Sequence, residues 1–583
     1  MTARAPAPIR YRVEAASLKA HLYRVALTVD LPDAAQVLSL PAWIPGSYLV
    51  REFSKHLQYL SAHQNGKPIA LRQIDKNHWE AQCVAGTPLV LTYEAYAFDA
   101  SVRAAWLDAQ RGFFNGTSLC LRVHGQERRP HAIEVVSPQA SWQAATSLVA
   151  HKTNKQGFGT YLADDYDELV DSPFELGPFW SAEFKAGGVT HRFVVAGAPR
   201  SFDGARLIAD TQKICEAAIR MWHGRKRPPF QRYVFMLHAV DDGYGGLEHR
   251  HSTALIAGRR DLPRLGDARQ SEGYTTLLGL ISHEYFHTWN VKRLRPAEFA
   301  RYDYDHENYT QLLWFFEGFT SYYDDLLLRR CGLIDDATYL RLLNKTINQV
   351  MQAPGREVQS VAQASFDAWV KYYRQDENTP NATISYYTKG ALVALCLDLT
   401  LRAEGRTTLD AVMRALWVRC KGGPMTEADL AATLKDLGGR AYTRELTAWV
   451  HGTRELPLQA LLEGAGVQVH EDAAAFQQAL GLRTSDSGGL LQIKTVLRGG
   501  AAEQAGFAAQ DEWLGIEVGG EGWRIAKLED LALYAGSQRK LTAIVARDRR
   551  LLRLALTLPV SSCTWRLAIG QSVRVRAWLV GTD

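Results

Sequence analysis

The stretch HEYFH, residues 283–287, lies in a segment whose apolar spacing predicts a helix over residues 275–289. Residues four apart in a helix share one face, so the imidazoles of His283 and His287 can converge on one cation. Two histidine nitrogens, a carboxylate and one open position are the ligand set of a catalytic zinc ion. Glu284 can then take a proton from the attacking water. The stretch therefore predicts a zinc hydrolase with one zinc ion per chain.

The third zinc ligand has three candidates downstream of His287. His306 and Glu307 follow it closely, whereas Glu317 leaves 29 residues between. Glu317 is favoured because it lies in a predicted helix over residues 309–330, which can hold a carboxylate rigidly. Glu307 remains the rival, with a less fixed direction.

Composition and charge exclude several classes of protein. The 583 residues are 22% charged and 46% hydrophobic, an ordinary globular composition, and the net charge of +5 comes without a basic block or tail. The seven cysteines are scattered and form no C-x-x-C pair. The N-terminus lacks a signal-peptide core, and no window reaches the roughly 18 apolar residues of a membrane span. We therefore expect a cytoplasmic protein without a nucleic-acid or membrane partner.

The predicted type of secondary structure changes twice along the chain. Period-2 alternation near the N-terminus predicts a half-buried strand whose inward residues are Tyr23, Val25, Leu27, Val29 and Leu31. From about residue 203 helical patterns dominate, including one that begins near Tyr387 and ends before Gly405. Strand patterns return after residue 467. This order predicts a multidomain α+β protein with an N-terminal antiparallel β-domain, a mostly helical catalytic domain and a C-terminal β-domain.

Four short motifs follow one another along the chain: GGLEH (245–249), HEYFH (283–287), WFFEGF (314–319) and YYTKG (386–390). This order resembles the zinc aminopeptidases of the gluzincin group. Longer stretches are similar to the glycyl aminopeptidase family, namely PAWIPGSYLVREFSKH (41–56), FFNGTSL (113–119), HTWNVKRLRP (287–296) and ENYTQLLWFFEG (307–318). The resemblance implies an N-terminal β-domain at 1–195, a thermolysin-like catalytic domain at 196–460 and a PDZ-like domain with a C-terminal strand extension at 461–583.

The resemblance also implies roles around the metal. His283, His287 and Glu317 would bind zinc, and Glu284 would be the general base. Tyr387, in Tyr387-Thr388-Lys389-Gly390, matches the phenol that hydrogen-bonds the developing oxyanion, and the adjacent Tyr386 stays open as the alternative.

A substrate-binding strand is implied as well. Glu248 matches the carboxylate that binds the free α-amino group of the substrate, and Gly245 and Gly246 precede it in the same strand. Two features depart from the larger aminopeptidases of the group. Their third ligand follows the second histidine more closely than Glu317 does, and their amine-binding motif ends in Asn, where this chain has His249. The histidine puts the geometry of the amine site in question.

The C-terminal region resembles a bacterial PDZ domain. Leu480-Gly481-Leu482 precedes a strand, and VLRGGAAEQAGFAAQDEWLGIEVGG follows at 496–520. In such domains the loop around the glycine offers backbone N–H groups to the C-terminus of a peptide, which adds as a strand. A plain packing role on the catalytic domain is the alternative.

Together these features predict a zinc aminopeptidase that acts on peptides with a free N-terminus and releases small residues, Gly or Ala. Two alternatives stay open. A zinc endopeptidase would use the same chemistry without amine binding by Glu248. A PDZ-type scaffold would carry its function in the C-terminal domain beside a residual metal site.

Overall fold

The computed structural model of the protein describes residues 8–560 and 563–580. Residues 1–7, which belong to the predicted N-terminal domain and to the segment inspected for a signal peptide, lie outside the described residues. So do residues 561–562 and 581–583 of the predicted PDZ-like domain. The described chain forms two compact units, residues 8–309 with 416–426, and residues 310–415 with 427–580.

The N-terminal part of the first unit consists of three sheets. The largest has eight strands, in the spatial order Val149–Thr153, Gly159–Ala163, His131–Val135, Ile9–Ser17, Leu22–Val29, Leu89–Tyr96, Leu57–Gln64 and Lys67–Pro68. Two four-stranded sheets have the orders Gln143–Ala145, Phe174–Gly177, Gly112–Phe114, Ala105–Leu107 and Arg122–Val123, Ala35–Ser39, His78–Gln82, Leu71–Gln73. All neighbouring strands are antiparallel except Ile9–Ser17 and His131–Val135. The predicted N-terminal antiparallel β-structure is thus confirmed.

The strand Leu22–Val29 shows how alternation produces this core. Its inward side chains, Tyr23, Val25, Leu27 and Val29, are buried as predicted. Leu31 differs, because the strand ends at Val29 and the Leu31 side chain is 53% exposed.

A five-stranded sheet with two flanking helices forms the rest of the first unit. Its spatial order is Trp180–Ala186, Val189–Ala196, Arg232–Val240, Ser252–Gly258 and Tyr244–Glu248. The three central strands are parallel and the two outer strands are antiparallel to their neighbours. Burial of five successive residues in Arg232–Val240 fits a strand covered on both faces. Helices Gly204–His223 and Glu272–Phe286 pack against this sheet.

Short elements complete the first unit. They are helices Gly116–Leu119 and Tyr166–Val170, 3-10 turns Phe53–His56, Arg259–Asp261 and Ala297–Phe299, and the paired strands Arg295–Pro296 and Pro424–Met425.

The second unit begins with helices and ends with a β-module. Its helices are Leu313–Arg330, Asp336–Met351, Gly355–Val358, Val361–Phe366, Thr379–Ala382, Thr388–Ala403, Leu409–Arg419 (residues 409–415 in this unit), Glu427–Gly438, Thr443–Leu446 and Leu458–Gly464. A 3-10 turn, Asp367–Trp369, and a π-helical turn, Thr447–His451, join them. The predicted helical middle region is therefore confirmed.

The β-module is a six-stranded sheet with three short helices. The strands are Leu482–Ser487, Leu490–Val496, Glu512–Val518, Lys540–Arg547 and Arg550–Thr557 in spatial order, with Glu521–Arg524 paired to Glu512–Val518. The helices are Phe476–Leu480, Ala501–Ala505 and Asp530–Ala535. A separate strand pair, Val467–Ala473 with Cys563–Ile569, and helix Ser572–Leu579 complete the unit.

The division into three domains stays a prediction. Its first boundary falls inside strand Val189–Ala196 and its second inside helix Leu458–Gly464. Within the described residues, no helix has both the length and the apolar character needed to cross a membrane.

Candidate metal centre and peptide-binding edge

Helix Glu272–Phe286 carries the predicted metal-binding pair. The Ser271 hydroxyl caps its N-terminus by accepting a hydrogen bond from the Tyr274 N–H. At its C-terminal end the Nε2 atoms of His283 and His287 lie 3.0 Å apart. Two nitrogens at about 2.0–2.1 Å from a tetrahedral zinc would be separated by roughly 3.3 Å. The pair therefore fits a zinc ion with a shift of a few tenths of an ångström.

The orientation of His287 is fixed from behind. Its Nδ1 lies 2.8 Å from the carbonyl oxygen of Asn290 and donates to it, which leaves the Nε2 lone pair for a metal. The ring is buried, with 1% of its surface exposed. The chain turn after the helix thus fixes the tautomer that metal binding requires.

The carboxylate of Glu284 lies against the edge strand Tyr244–Glu248. A Cβ atom at Gly246 would lie 2.1 Å from Glu284 Oε1, so any side chain at this position would displace the carboxylate. Potential ligand atoms of Glu248, Glu284 and His287 lie within 4.8 Å of one another. The glycine therefore explains how the strand and the helix place two carboxylates beside one imidazole.

Glu248 is a buried carboxylate at the C-terminal end of the edge strand. It is 4% exposed, and its Oε1 has no hydrogen-bond partner among the described residues. Gly46, with φ +94°, packs against it, since a Cβ there would lie 2.6 Å from Glu248 Oε2. Burial of an unpartnered carboxylate oxygen costs free energy unless a ligand supplies a donor. Glu248 thus has the character of a cation-binding group.

The His249 side chain contacts a largely buried carboxylate. Its Nδ1 lies 3.1 Å from Asp171 Oδ1, which also pairs with Lys292 Nζ at 2.8 Å. Burial alone would raise the pKa of Asp171, but Lys292 and His249 outweigh it and hold that pKa below its usual range. His249, which stands where the larger aminopeptidases have Asn, therefore joins the end of the strand to a buried ionic network. Its side chain is not added to the proposed amine site.

The second unit holds the other two predicted site residues. Glu317, 2% exposed, lies in helix Leu313–Arg330, and Tyr387 immediately precedes helix Thr388–Ala403. Burial, and next the charge of Glu317, raises the pKa of Tyr387 well above its ordinary value. The phenol is therefore a hydrogen-bond donor at neutral pH.

Two glycines set the spacing of these helices. A Cβ atom at Gly318 would lie 2.5 Å from Cα of Gly390, and one at Gly390 would lie 2.6 Å from the Trp314 carbonyl oxygen. Each glycine follows a predicted site residue closely in its motif. Their contact therefore holds Glu317 and Tyr387 at a fixed separation within this unit.

Tyrosines that carry no motif surround Tyr387. The hydroxyls of Tyr373 and Tyr387 lie 3.5 Å apart, and the rings of Tyr372 and Tyr387 stack at 5.4 Å. Tyr386 is fully buried beside them. Tyr372 and Tyr373 could not be identified from the sequence, because a YY pair in a loop has no periodicity to interpret.

The alternative third ligands lie outside any helix. His306 has a side chain that is 75% exposed and pairs with Asp303, so it is a surface group. Glu307 precedes Asn308, whose side-chain amide donates to the backbone carbonyls of Asp303 and His306. This loop delays the start of the helix, which was predicted at residue 309, to Leu313.

A second His-carboxylate cluster, His78, His124 and Asp305, lies in the first unit. Asp305 already pairs with Arg122 at 3.1 Å and with His78 at 3.5 Å. The adjacent guanidinium opposes a second cation, so we assign no metal to this cluster.

Comparison with known proteins gives two family matches and several similar structures. The Peptidase M61 N-terminal domain matches residues 10–178, and the M61 glycyl aminopeptidase family matches residues 276–393. A crystal structure of an aminopeptidase N family protein from Idiomarina loihiensis is 36% identical, with a TM-score of 0.93 over 98% of this chain and 100% of that one. An M1 zinc metallopeptidase from Deinococcus radiodurans is 18% identical, with a TM-score of 0.50 over 77% of this chain and 95% of that one, a likeness of fold. No curated protein matches the sequence.

Proposed function

This chain belongs to the M61 glycyl aminopeptidase family and is a metallo-aminopeptidase, and from that premise we propose that it releases N-terminal Gly or Ala from peptides in a zinc-dependent reaction. The buried carboxylate of Glu248 beside Glu284 and His287 carries this proposal. It supplies a site for an ammonium group two strand residues from Gly246, where Glu284 lies, and an endopeptidase does not need such a site.

We propose that His283, His287 and Glu317 hold one zinc ion per chain. The 3.0 Å separation of the two Nε2 atoms supports the histidine pair. Glu317 is supported by its place in the WFFEGF motif and by its rigid, buried helix. When bound, zinc lowers the pKa of water and polarises a carbonyl group.

In the proposed reaction, Glu284 is the base that takes the proton from the attacking water. It then passes that proton to the amine of the leaving peptide. Gly246 allows the carboxylate to reach the strand along which the peptide lies. Tyr387 donates a hydrogen bond to the oxygen of the scissile carbonyl as negative charge develops there. Its position near Glu317 favours it over Tyr386.

Selection for a free N-terminus would come from Glu248. A substrate ammonium group would donate to the unpartnered Oε1, and Gly46 leaves room for the carboxylate, since a Cβ atom there would lie 2.6 Å from Oε2. The proposed preference for the small residues Gly and Ala is supported, for Gly, by the family description of a glycyl aminopeptidase.

We also propose that the C-terminal β-module is PDZ-like and packs on the helices of its own unit. Asn381 donates to the Val496 carbonyl and accepts from the Arg498 N–H. The separate strand Cys563–Ile569 is held to the same helices by Asn348, which donates to the Trp565 carbonyl and accepts from the Trp565 N–H. The resemblance predicts that the loop around Gly481 offers N–H groups to a peptide C-terminus, and in this loop the Gly481 N–H donates to the Gln478 carbonyl. These contacts favour the packing role over the capture of a peptide C-terminus.

Metal analysis combined with a substrate panel tests the proposed function. We expect about one zinc per chain, chelator-sensitive cleavage of Gly- and Ala-p-nitroanilide, and recovery of activity on return of zinc. Cleavage that persists without metal would contradict the zinc assignment. Preference for large N-terminal residues would contradict the specificity.

A further inference from the structure

Arg103 lies beside the peptide-binding edge, although no motif includes it. It comes from the loop between strands Leu89–Tyr96 and Ala105–Leu107. Its Nη2 donates to the Gly246 carbonyl oxygen at 3.4 Å, and a Cβ atom at Gly245 would lie 4.0 Å from its Nη1. The guanidinium therefore lies at the glycine half of the edge strand.

This half-buried cation has no carboxylate partner among the described residues. Its buried Nε also has no hydrogen-bond partner there. Arginine presents five N–H donors in a planar fork that matches a carboxylate, and here one long hydrogen bond to a backbone carbonyl engages it. The remaining donors of Arg103 are suited to an anionic group of a ligand.

The distance along the strand matches a particular ligand. Glu248 and Gly246 are two residues apart, and a β-strand rises about 3.3 Å per residue, so their positions differ by roughly 7 Å. The amino group and the carboxylate of an extended dipeptide are separated by about the same two-residue length. A dipeptide that runs antiparallel to this strand, with its amine at Glu248, would place its carboxylate beside Gly246 and Arg103.

The carboxylate of the proposed base, Glu284, lies at the Gly246 end of this span. Glu284 contacts the strand at Gly246 from the side of the HEYFH helix. A Cβ atom placed at Gly246 would lie only 2.1 Å from Glu284 Oε1. A peptide bond centred between Glu248 and Arg103 would therefore lie next to the proposed base.

We propose that Arg103 binds the C-terminal carboxylate of dipeptide substrates, so that the enzyme favours dipeptides over longer peptides and over dipeptide amides. This inference rests on the proposed function, because it takes Glu248 as the amine site. Arg103 would act as a specificity-determining residue supplied by the N-terminal β-structure.

Steady-state kinetics with Ala-Ala, Ala-Ala amide and Ala-Ala-Ala test the inference on the full-length wild type. Loss of a charged hydrogen bond in a partly desolvated site lowers kcat/KM by roughly 10- to 100-fold. We expect Ala-Ala to exceed its amide by that factor, mainly through KM. Equal kcat/KM values for the acid and the amide would overturn the inference without any variant.

Two substitutions locate the effect. Arg103→Gln should reduce the ratio of acid to amide toward one, and Arg103→Lys should retain part of it. Arg128→Gln, which removes a charge from an exposed loop of the same region, should keep the wild-type ratio. A wild-type ratio in Arg103→Gln would overturn the inference. Failure of the wild type to cleave Ala-p-nitroanilide as well would instead contradict the proposed function.

Discussion

Replacement of Glu248 by Gln distinguishes an aminopeptidase from an endopeptidase. The amide keeps the size of the side chain, so packing against Gly46 is preserved while the negative charge is lost. Glu248 is 4% exposed, and a charged hydrogen bond in such surroundings contributes about 1.5–3 kcal/mol. At about 1.36 kcal/mol per decade, the loss corresponds to roughly 10- to 150-fold in kcat/KM for a free amino substrate.

The assay compares Ala-p-nitroanilide with its N-acetylated form. The wild type should cleave the free substrate and leave the blocked one nearly untouched, because acetylation removes the cation and leaves Glu248 unpaired. Glu248→Gln should lose activity on the free substrate, so that its kcat/KM values for the free and the acetylated substrate differ less than those of the wild type. Glu183→Gln, an exposed carboxylate on the opposite edge strand of the same sheet, is the matched control and should behave as wild type. Efficient cleavage of the acetylated substrate by the wild type would refute the amine-site reasoning and favour an endopeptidase.

Three further predictions concern the base, the third ligand and acid stability. Glu284→Gln should retain zinc and lose turnover by several orders of magnitude, since water activation is lost while the ligands stay; near wild-type turnover would transfer the base role elsewhere. Glu317→Gln should lose zinc in metal analysis, whereas Glu307→Gln should retain it, and the reverse result would make Glu307 the ligand. Burial lowers the pKa of His191 to about 4, against about 6.5 when unfolded, so its unfolded form binds more protons and stability falls as the pH drops from 6.5 toward 4. We therefore expect the free energy of unfolding, measured with urea on the metal-free protein, to fall less in His191→Gln than in the wild type between pH 7 and pH 5, by about 2 kcal/mol. An equal fall in both proteins would contradict the lowered pKa of His191.

Local features of the site were predictable from the sequence. The helix predicted over residues 275–289 occurs at Glu272–Phe286, and the one predicted over 309–330 ends at Arg330 as expected. Such elements follow from apolar periodicity and caps, which neighbouring residues determine. The predicted ends of these helices were less accurate where a side chain stabilises a loop instead. Asn308 does so by bonding to the loop before Leu313.

Sheet membership was not predictable to the same degree. Strand Val189–Ala196 pairs antiparallel with Trp180–Ala186 and also pairs in parallel with Arg232–Val240. Period-2 patterning identifies a strand but does not identify its neighbours, because pairing depends on residues far away in the chain. A domain boundary placed at residue 195 by texture alone therefore falls within a strand.

The contacts along the proposed peptide-binding edge could not be predicted from the sequence for the same reason. Gly46 and Arg103 come from the N-terminal β-structure, and they meet Glu248 and Gly246 across 143 residues or more of chain. Sequence reasoning recognised the Pro-Gly turn at Gly46 as a motif but could not identify its partner. Because Gly46 and Arg103 contact the edge strand from the N-terminal region, the proposed selection of the substrate would depend on both parts of the first unit. A fragment that starts at residue 196 would retain His283, Glu284 and His287 but would lack the contacts that the N-terminal β-structure makes with Tyr244–Glu248.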